Sequence, residues 1–540
     1  MKNGLLALLL LVSGNLNAQT TESLTPKSES FDVNYYSVQL KPKQIPGMMG
    51  IQSFAFGQAE GKWVLVGGRL DGLHRRQPFA AFDSIGHNNH IIVIDPKSNE
   101  LWKASVDQLP ANLRDQLKGT NINFAQNGDQ LILVGGYGIG ELADDHQTFP
   151  FVTTVQLPAL IKAVQANQLE ASLFHQTYDS LAAVTGGQLL RMDSVFYLVG
   201  GHRFDGRYNP ADRPTFVQTY TNSVRRFTLD EVGNPTWLPA FTDSVNMHRR
   251  DFNVVLNQLP SGKTSLTAFS GVFQYNVDLP FQTAIDITEN GLAEQSGFYQ
   301  YYNHYHCADV SLFDPKTNEM HTLLFGGIAQ YYDSLGTLVQ DNGVPFVSTI
   351  SRVTRQPDGS MTEYKFPVEM PALLGAGSEF IASTDLPRTD NGVAIFEASA
   401  DSLFLGTIVG GIASTGRNIF WINDDEESSA SSGMFDVYLV MNSGFRRQNL
   451  ASNNPLHLHA VRHASEPRYQ VQFTLEKPST VAVEWTNQKG KVKHKAVINA
   501  AAGKQVYPVF LPKKPGFCRI KLTVENQGPV ELYFLIPEED

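Results

Sequence analysis

The chain has 540 residues, 42% hydrophobic and 18% charged, the balance of a folded globular protein too long for one ordinary core. With 42 Lys and Arg against 53 Asp and Glu its formal charge is −11, so the basic face that a phosphate backbone requires is missing and nucleic acid is not expected as a partner. Two cysteines, Cys307 and Cys518, are too few for a disulfide-stapled scaffold, and both are expected to be free, buried thiols.

The first 18 residues read as a secretion signal. Lys2 supplies the positive end, Leu5 to Val12 the short apolar stretch, and Ala18 a small residue for cleavage before Gln19. That stretch is shorter than the roughly 20 residues a spanning helix needs, and no transmembrane segment is expected elsewhere. The mature chain is therefore expected to be secreted, periplasmic or at the cell surface, with residues 19–30 as an N-terminal linker.

Within residues 31–450 one phrase recurs six times, an apolar run closed by two small residues. The copies are Trp63 to Gly68, Leu131 to Gly136, Phe196 to Gly201, Leu266 to Gly271, Leu323 to Gly327 and Thr407 to Gly411. Their first small residues (Ser270 in the fourth copy, Gly in the others) are 68, 65, 70, 56 and 84 residues apart. A strand and turn precede each phrase, as at Ser53 to Gly61 and Asp309 to Asn318. A variable loop and a second β-rich run follow it, as at Asn89 to Asp95, Phe151 to Val155 and Ser223 to Phe227. Trp102 and Trp237 mark a fourth strand. Four antiparallel strands per unit, repeated around an axis, make a propeller blade. The glycine pair closes the second strand where a Cβ would clash or oppose a positive φ.

The apolar-Gly-Gly signature with a later Trp resembles the kelch family of β-propellers. The resemblance implies an all-β fold with a six-bladed kelch-type propeller, or seven blades if the long interval between Gly327 and Gly410 holds one more.

Residues 465–540 form a second module. Here 11 Lys and Arg outnumber 8 Asp and Glu, a net of +3 against −14 for the rest of the chain. Alternating apolar residues at Val471 to Leu475, Val481 to Trp485, Cys518 to Leu522 and Val530 to Phe534 predict a small immunoglobulin-like β-sandwich. The succession Leu475-Glu476-Lys477-Pro478, Gln488-Lys489-Gly490-Lys491-Val492, Ala502-Gly503-Lys504 and Pro515-Gly516-Phe517 resembles the C-terminal sorting domain of the type IX secretion route. It implies outer-membrane secretion machinery as a partner. The acidic ending Pro537-Glu538-Glu539-Asp540 departs from the basic final strand usual in that family.

In a propeller, the loops after the second strands and the linkers before the first strands share one face. Those segments carry Arg69, His74 and Arg75, then His202, Arg203 and Arg207, then His248, Arg249 and Arg250, with Tyr305, His306 and Glu379 further along. Arg forks suit oxygen acceptors, and aromatic rings stack on the apolar faces of sugars, so a glycan or an extracellular protein is the expected partner. Such residues also serve to tie long loops together. Two enzymatic alternatives come from resemblance. Tyr305-His306 with a distant His is similar to the copper site of galactose oxidase, another kelch propeller, with Leu456-His457-Leu458-His459 or His463 as the source of a third ligand. The order and spacing are not that family's, so no metal and no cofactor are expected. Bacterial sialic-acid mutarotase/epimerases of kelch type use Arg, Glu and His without metal, roles that His248, Arg249, Arg250 and Glu379 would fill. The leading expectation is ligand binding through the loop-rich face.

Overall fold

The computed structural model describes residues 32–33 and 36–536, apart from 76–79, 210–214, 303, 335–336, 397–401, 442–445, 450–455, 457, 463–468, 488–490, 510–515 and 526–528. The export signal and the linker lie outside the described residues, as do His457 and His463. Among the described residues the fold is all-β with two short α-helices, Ala111–Leu117 and Leu157–Gln165. No helix among the described residues is long and apolar enough to cross a membrane.

Six antiparallel four-stranded units follow one another along the chain. The first comprises Ala55–Ala59, Lys62–Val66, His90–Asp95 and Glu100–Ser105. The second, third and fourth begin at Asn123, Gln188 and Asn253 and repeat the pattern, although the second reaches its fourth strand, Phe174–Tyr178, only after helix Leu157–Gln165. The fifth, Ala308–Asp314, Glu319–Ile328, Phe346–Arg355 and Met361–Glu369, is widened by short edge strands. The sixth takes only three strands from its own stretch, Ser378–Ala382, Ser402–Gly410 and Met434–Met441. Its fourth is the distant N-terminal Tyr36–Lys43, paired in register from Tyr36↔Met441 to Lys43↔Met434. Trp102 and Trp237 sit on fourth strands, where the sequence puts them. The interval between Gly327 and Gly410 is occupied by a hairpin, the outer half of the fifth sheet, the first strand of the sixth and a short edge strand, Ala394–Ile395.

Each sheet packs on the next through apolar side chains. Tyr197 and Val199 of the third sheet meet Val254 and Leu266 of the fourth, and Val310 and Leu323 of the fifth meet Phe380 and Ile408 of the sixth. Ile381 and Val409 of the sixth then meet Leu65 and Ile92 of the first. The glycine phrase repeats the same link. The second glycine's N–H donates to a carbonyl four residues before a neighbouring sheet: Gly68 to Gly119, Gly136 to Val184, Gly201 to Arg249 and Gly327 to Leu374, at 2.8 to 3.0 Å. Gly411 donates to Ile51, at 2.8 Å, from the sixth sheet back to the first. A Cβ on Gly135 would fall on the Val184 carbonyl oxygen, and one on Gly410 on that of Ile51, which is why these positions carry hydrogen.

The tail forms two further sheets. His459–Arg462, Tyr469–Leu475 and Gly503–Val509 make one; Ser479–Asn487, Val492–Ala500, Gly516–Val524 and Pro529–Ile536 belong to the other. Val471, Phe473, Val481, Val483, Ile520 and Leu522 from both sheets share one core. The first strand of the tail thus begins at His459. Cys307 and Cys518 are free and buried.

Candidate functional site

A cavity of about 930 Å³ lies where the linkers before first strands and the loops after second strands converge. All six sheets contribute to it. Phe82, Tyr137, Phe204, Phe273 and Phe420 bring rings from five post-glycine loops, and Phe346, at the start of the fifth sheet's third strand, brings a sixth. The expectation that loops and linkers share a face therefore holds for these segments.

Of the twelve residues singled out in the sequence, seven line the cavity: Arg69, His74, His202, His248, Arg250, Tyr305 and His306. Arg69 is nearly fully buried; its Nε donates to Asp71 Oδ1 at 2.7 Å and its Nη2 to the Asp83 carbonyl at 3.0 Å, which fixes the first loop. His74 stacks on Phe82 at 5.2 Å and meets Tyr208 edge-on at 4.7 Å. Desolvation lowers its pKa to about 4, so it is neutral at pH 7. His202 faces Gln218, whose Nε2 lies 2.6 Å from its Nδ1, and burial holds its pKa well below the ordinary value. His248 stacks on Tyr220 at 3.8 Å and is also shifted down, by desolvation and then by Arg250. Three of the four cavity imidazoles are therefore uncharged near neutrality and act as flat, weakly polar walls.

The fourth is different. Burial would lower the pKa of His306, but the Glu379 carboxylate raises it on balance, with Asp251 and Asp309 adding to the pull. His306 Nε2 stands 3.0 Å from Glu379 Oε1, an oxygen that makes no hydrogen bond among the described residues, so the contact is primarily one of charge. Arg250 completes this wall. It donates to the Tyr220 hydroxyl, its Nε lies 3.3 Å from Asp251 Oδ2, and its guanidinium sits over the Phe273 ring at 5.1 Å. Asp309, behind, accepts from Asn253 Nδ2 at 2.8 Å; desolvation lifts its pKa to about 7.

The other five residues stand apart. Arg249 is buried on the far side of its linker, donating to the carbonyls of Asn246 at 2.6 Å and Ser270 at 2.9 Å with its guanidinium over Phe281. It ties the linker to the fourth sheet, and desolvation lowers its pKa to about 9. Arg75 pairs with Asp425 and joins the first loop to the sixth. Arg203 is exposed and bonded to Asp205 at 2.6 Å. Arg207 is half-buried, its carbonyl accepting from Thr215 Oγ1 at 3.1 Å. Glu379 sits on strand Ser378–Ala382 and reaches the site through His306.

The sixth loop was overlooked in the sequence. Arg417, Asn418, Phe420 and Trp421 all line the cavity, and they follow Gly410-Gly411 at much the distance that His74 follows Gly67-Gly68. That offset was the available signal. Among the described residues no group of three or more His, Cys, Asp or Glu is placed to hold a metal ion. The side chain of His459 is not among those described.

No protein-family model matches the chain, and no curated protein matches it. Among solved structures, one described as the structure of YjhT is similar over 72% of this chain and 100% of its own, at 10% identity and a TM-score of 0.39. A novel fungal alcohol oxidase of the AA5 family, in complex with copper, is similar over 92% of this chain and 99% of its own, at 10% identity and a TM-score of 0.37. Likenesses this distant carry no argument about the site.

Proposed function

We propose that the six sheets are the blades of a kelch-type propeller closed by the N-terminal strand, that an immunoglobulin-like sandwich follows it, and that the protein is exported and binds a saccharide in the cavity on its loop face. The cyclic packing of the sheets and the repeated glycine hydrogen bond support the propeller. The observation that carries the binding reading is the lining itself, rings from every blade around about 930 Å³ of space. That volume suits a small ligand, and the wall combines broad apolar faces with a few fixed polar groups. Pyranoses offer the matching surface, with C–H faces for the rings and hydroxyls for Arg250, Gln218 and Asp251. Trp421 is 57% exposed at the mouth, which makes it the cavity ring most open to solvent apart from Tyr275. In a glycan-array screen followed by calorimetry on the strongest hit, Trp421→Ala is expected to weaken binding by roughly tenfold, equivalent to about 1.4 kcal/mol. An empty array, or a surface-protein pulldown that succeeds where the array fails, overturns the saccharide reading.

One observation favours catalysis as a second reading. His306, held by Glu379 and facing the cavity beside Arg250 and Asp251, has the arrangement of an acid–base group oriented by a carboxylate. NMR exchange spectra of reducing sugars incubated with the protein test it. Enzyme-dependent interconversion that His306→Ala abolishes supports catalysis; spectra identical with and without protein rule it out for those sugars.

A further inference from the structure

The loop after the fifth glycine pair is continuous with the tail. Beyond Gly327 the chain forms the hairpin Tyr331–Ser334 and Thr337–Asp341. The second arm pairs on its free edge, in parallel, with Pro529–Ile536, the last strand of the tail: Val339↔Tyr533, Gln340↔Phe534 and Asp341↔Leu535. The hairpin thereby completes a six-stranded sheet whose other four strands belong to the tail. Its side chains alternate between two cores. Tyr331 and Leu338 pack into the tail's core, whereas Tyr332 and Val339 pack against Ala329 and Val347 of the body.

The cavity wall starts where the paired strand ends. Asp341 Oδ1 accepts from the Gly343 N–H and its Oδ2 from Asn418 Nδ2, both at 2.8 Å. Asn342, Gly343, Val344, Phe346 and Asn418 line the cavity. A second route runs through Tyr301, which lies in the tail's core and meets Tyr331 edge-on at 5.3 Å. Four residues later the same linker delivers Tyr305 and His306 to the cavity.

We infer that the C-terminal unit is a positioning element of the cavity. Its last strand holds Thr337–Asp341, and through Asp341 it holds the wall formed by residues 342–346 and Asn418. A two-stranded hairpin is marginal by itself, and without the tail its outer edge would present unpaired backbone groups to water. Order in the tail and order in this wall are therefore coupled, and the coupling is reciprocal: whatever the cavity binds stabilises the tail. The coupling holds whatever the ligand's identity. It also means that the tail is no passive appendage, because cutting it away would release one side of the site.

Amide hydrogen exchange on the full chain, read by mass spectrometry through a series of low denaturant concentrations, tests this. Segments 337–346 and 529–536 are expected to open together, with the same denaturant dependence. Protection of 337–346 that persists after 529–536 has opened overturns the inference. The variant Leu522→Asp, which places a charge in the tail's core, supplies a second arm. Exchange in 337–346 and 416–421 is expected to quicken at least tenfold while Val195–Val199 stays protected; unchanged exchange in 337–346 would overturn the proposal. Should that variant fail to fold, the denaturant series on the unaltered chain decides alone.

Discussion

Ser270 occupies the position that carries glycine in the other five copies of the repeated phrase. Its φ is 59°, within the span of its counterparts, from 56° at Gly200 to 70° at Gly410. A side chain there opposes the left-handed backbone, and this one also buries a hydroxyl with no hydrogen-bond partner among the described residues. Ser270→Gly removes both penalties and adds back some chain entropy, so a gain of about 1 kcal/mol is expected in denaturant melts. Gly410→Ala does the reverse, placing a Cβ on the Ile51 carbonyl at the contact between the sixth and first sheets, and should cost about 3 kcal/mol. A rise in stability for the alanine variant would show that the link does not matter. These positions were legible because the phrase is local and self-repeating. Arg249 and Arg250 were not separable in the same way: adjacent residues on an extended linker point to opposite sides, and only the phase of the backbone decides that Arg250 enters the cavity while Arg249 binds carbonyls behind it.

At the scale of elements, strands with both faces buried announced themselves as apolar runs, and the third strands fall close to where those runs lie. Helix Leu157–Gln165 was hidden although its signal was present. Leu157, Leu160, Ile161 and Val164 are buried at helical spacing, and Pro158 stands in the first turn, but the flanking strands dominate the window. The pairing of Tyr36–Lys43 with Met434–Met441 could not be read at all, since nothing local to either strand names a partner some 400 residues away. That pairing makes Tyr36–Lys43 the fourth strand of the sixth sheet. Tyr36 is fully buried, with its ring 5.1 Å from Phe396 and 5.8 Å from His321, and its hydroxyl accepts from Arg352. Tyr36→Ala is expected to cost about 3–5 kcal/mol. Because the strand ties residues 36–43 to residues 434–441, the loss should appear as one cooperative shift of the whole transition; a separate early melt confined to the sixth sheet would contradict that role.

For the molecule as a whole, buried titratable groups pull stability in opposite directions with pH. His202, His304 and His321 are buried with pKa values driven down by desolvation, His304 to about 4. In the unfolded chain each titrates near 6.5, so unfolding takes up protons below that pH and stability falls as pH drops from about 6.5 toward 4. Glu363 works the other way. It is buried, its Oε2 accepts the N–H groups of Tyr301 at 2.7 Å and Tyr302 at 3.2 Å, its Oε1 has no partner among the described residues, and desolvation raises its pKa to about 8. The folded state therefore keeps a proton that the unfolded state releases above 4.5, and this contribution is lost as pH rises through 8. Asp309 acts in the same sense between about 3.8 and its pKa of about 7. Thermal melting across pH should accordingly show a maximum near neutrality with losses on both sides. Glu363→Gln retains an oxygen for the two N–H groups and cannot ionise, so its melting temperature should exceed that of the unaltered chain above pH 8 and converge with it near pH 5. Parallel profiles over that range would mean that Glu363 does not titrate with folding, and that the linker carrying Tyr305 and His306 into the cavity is anchored by a carboxylate already charged at neutral pH.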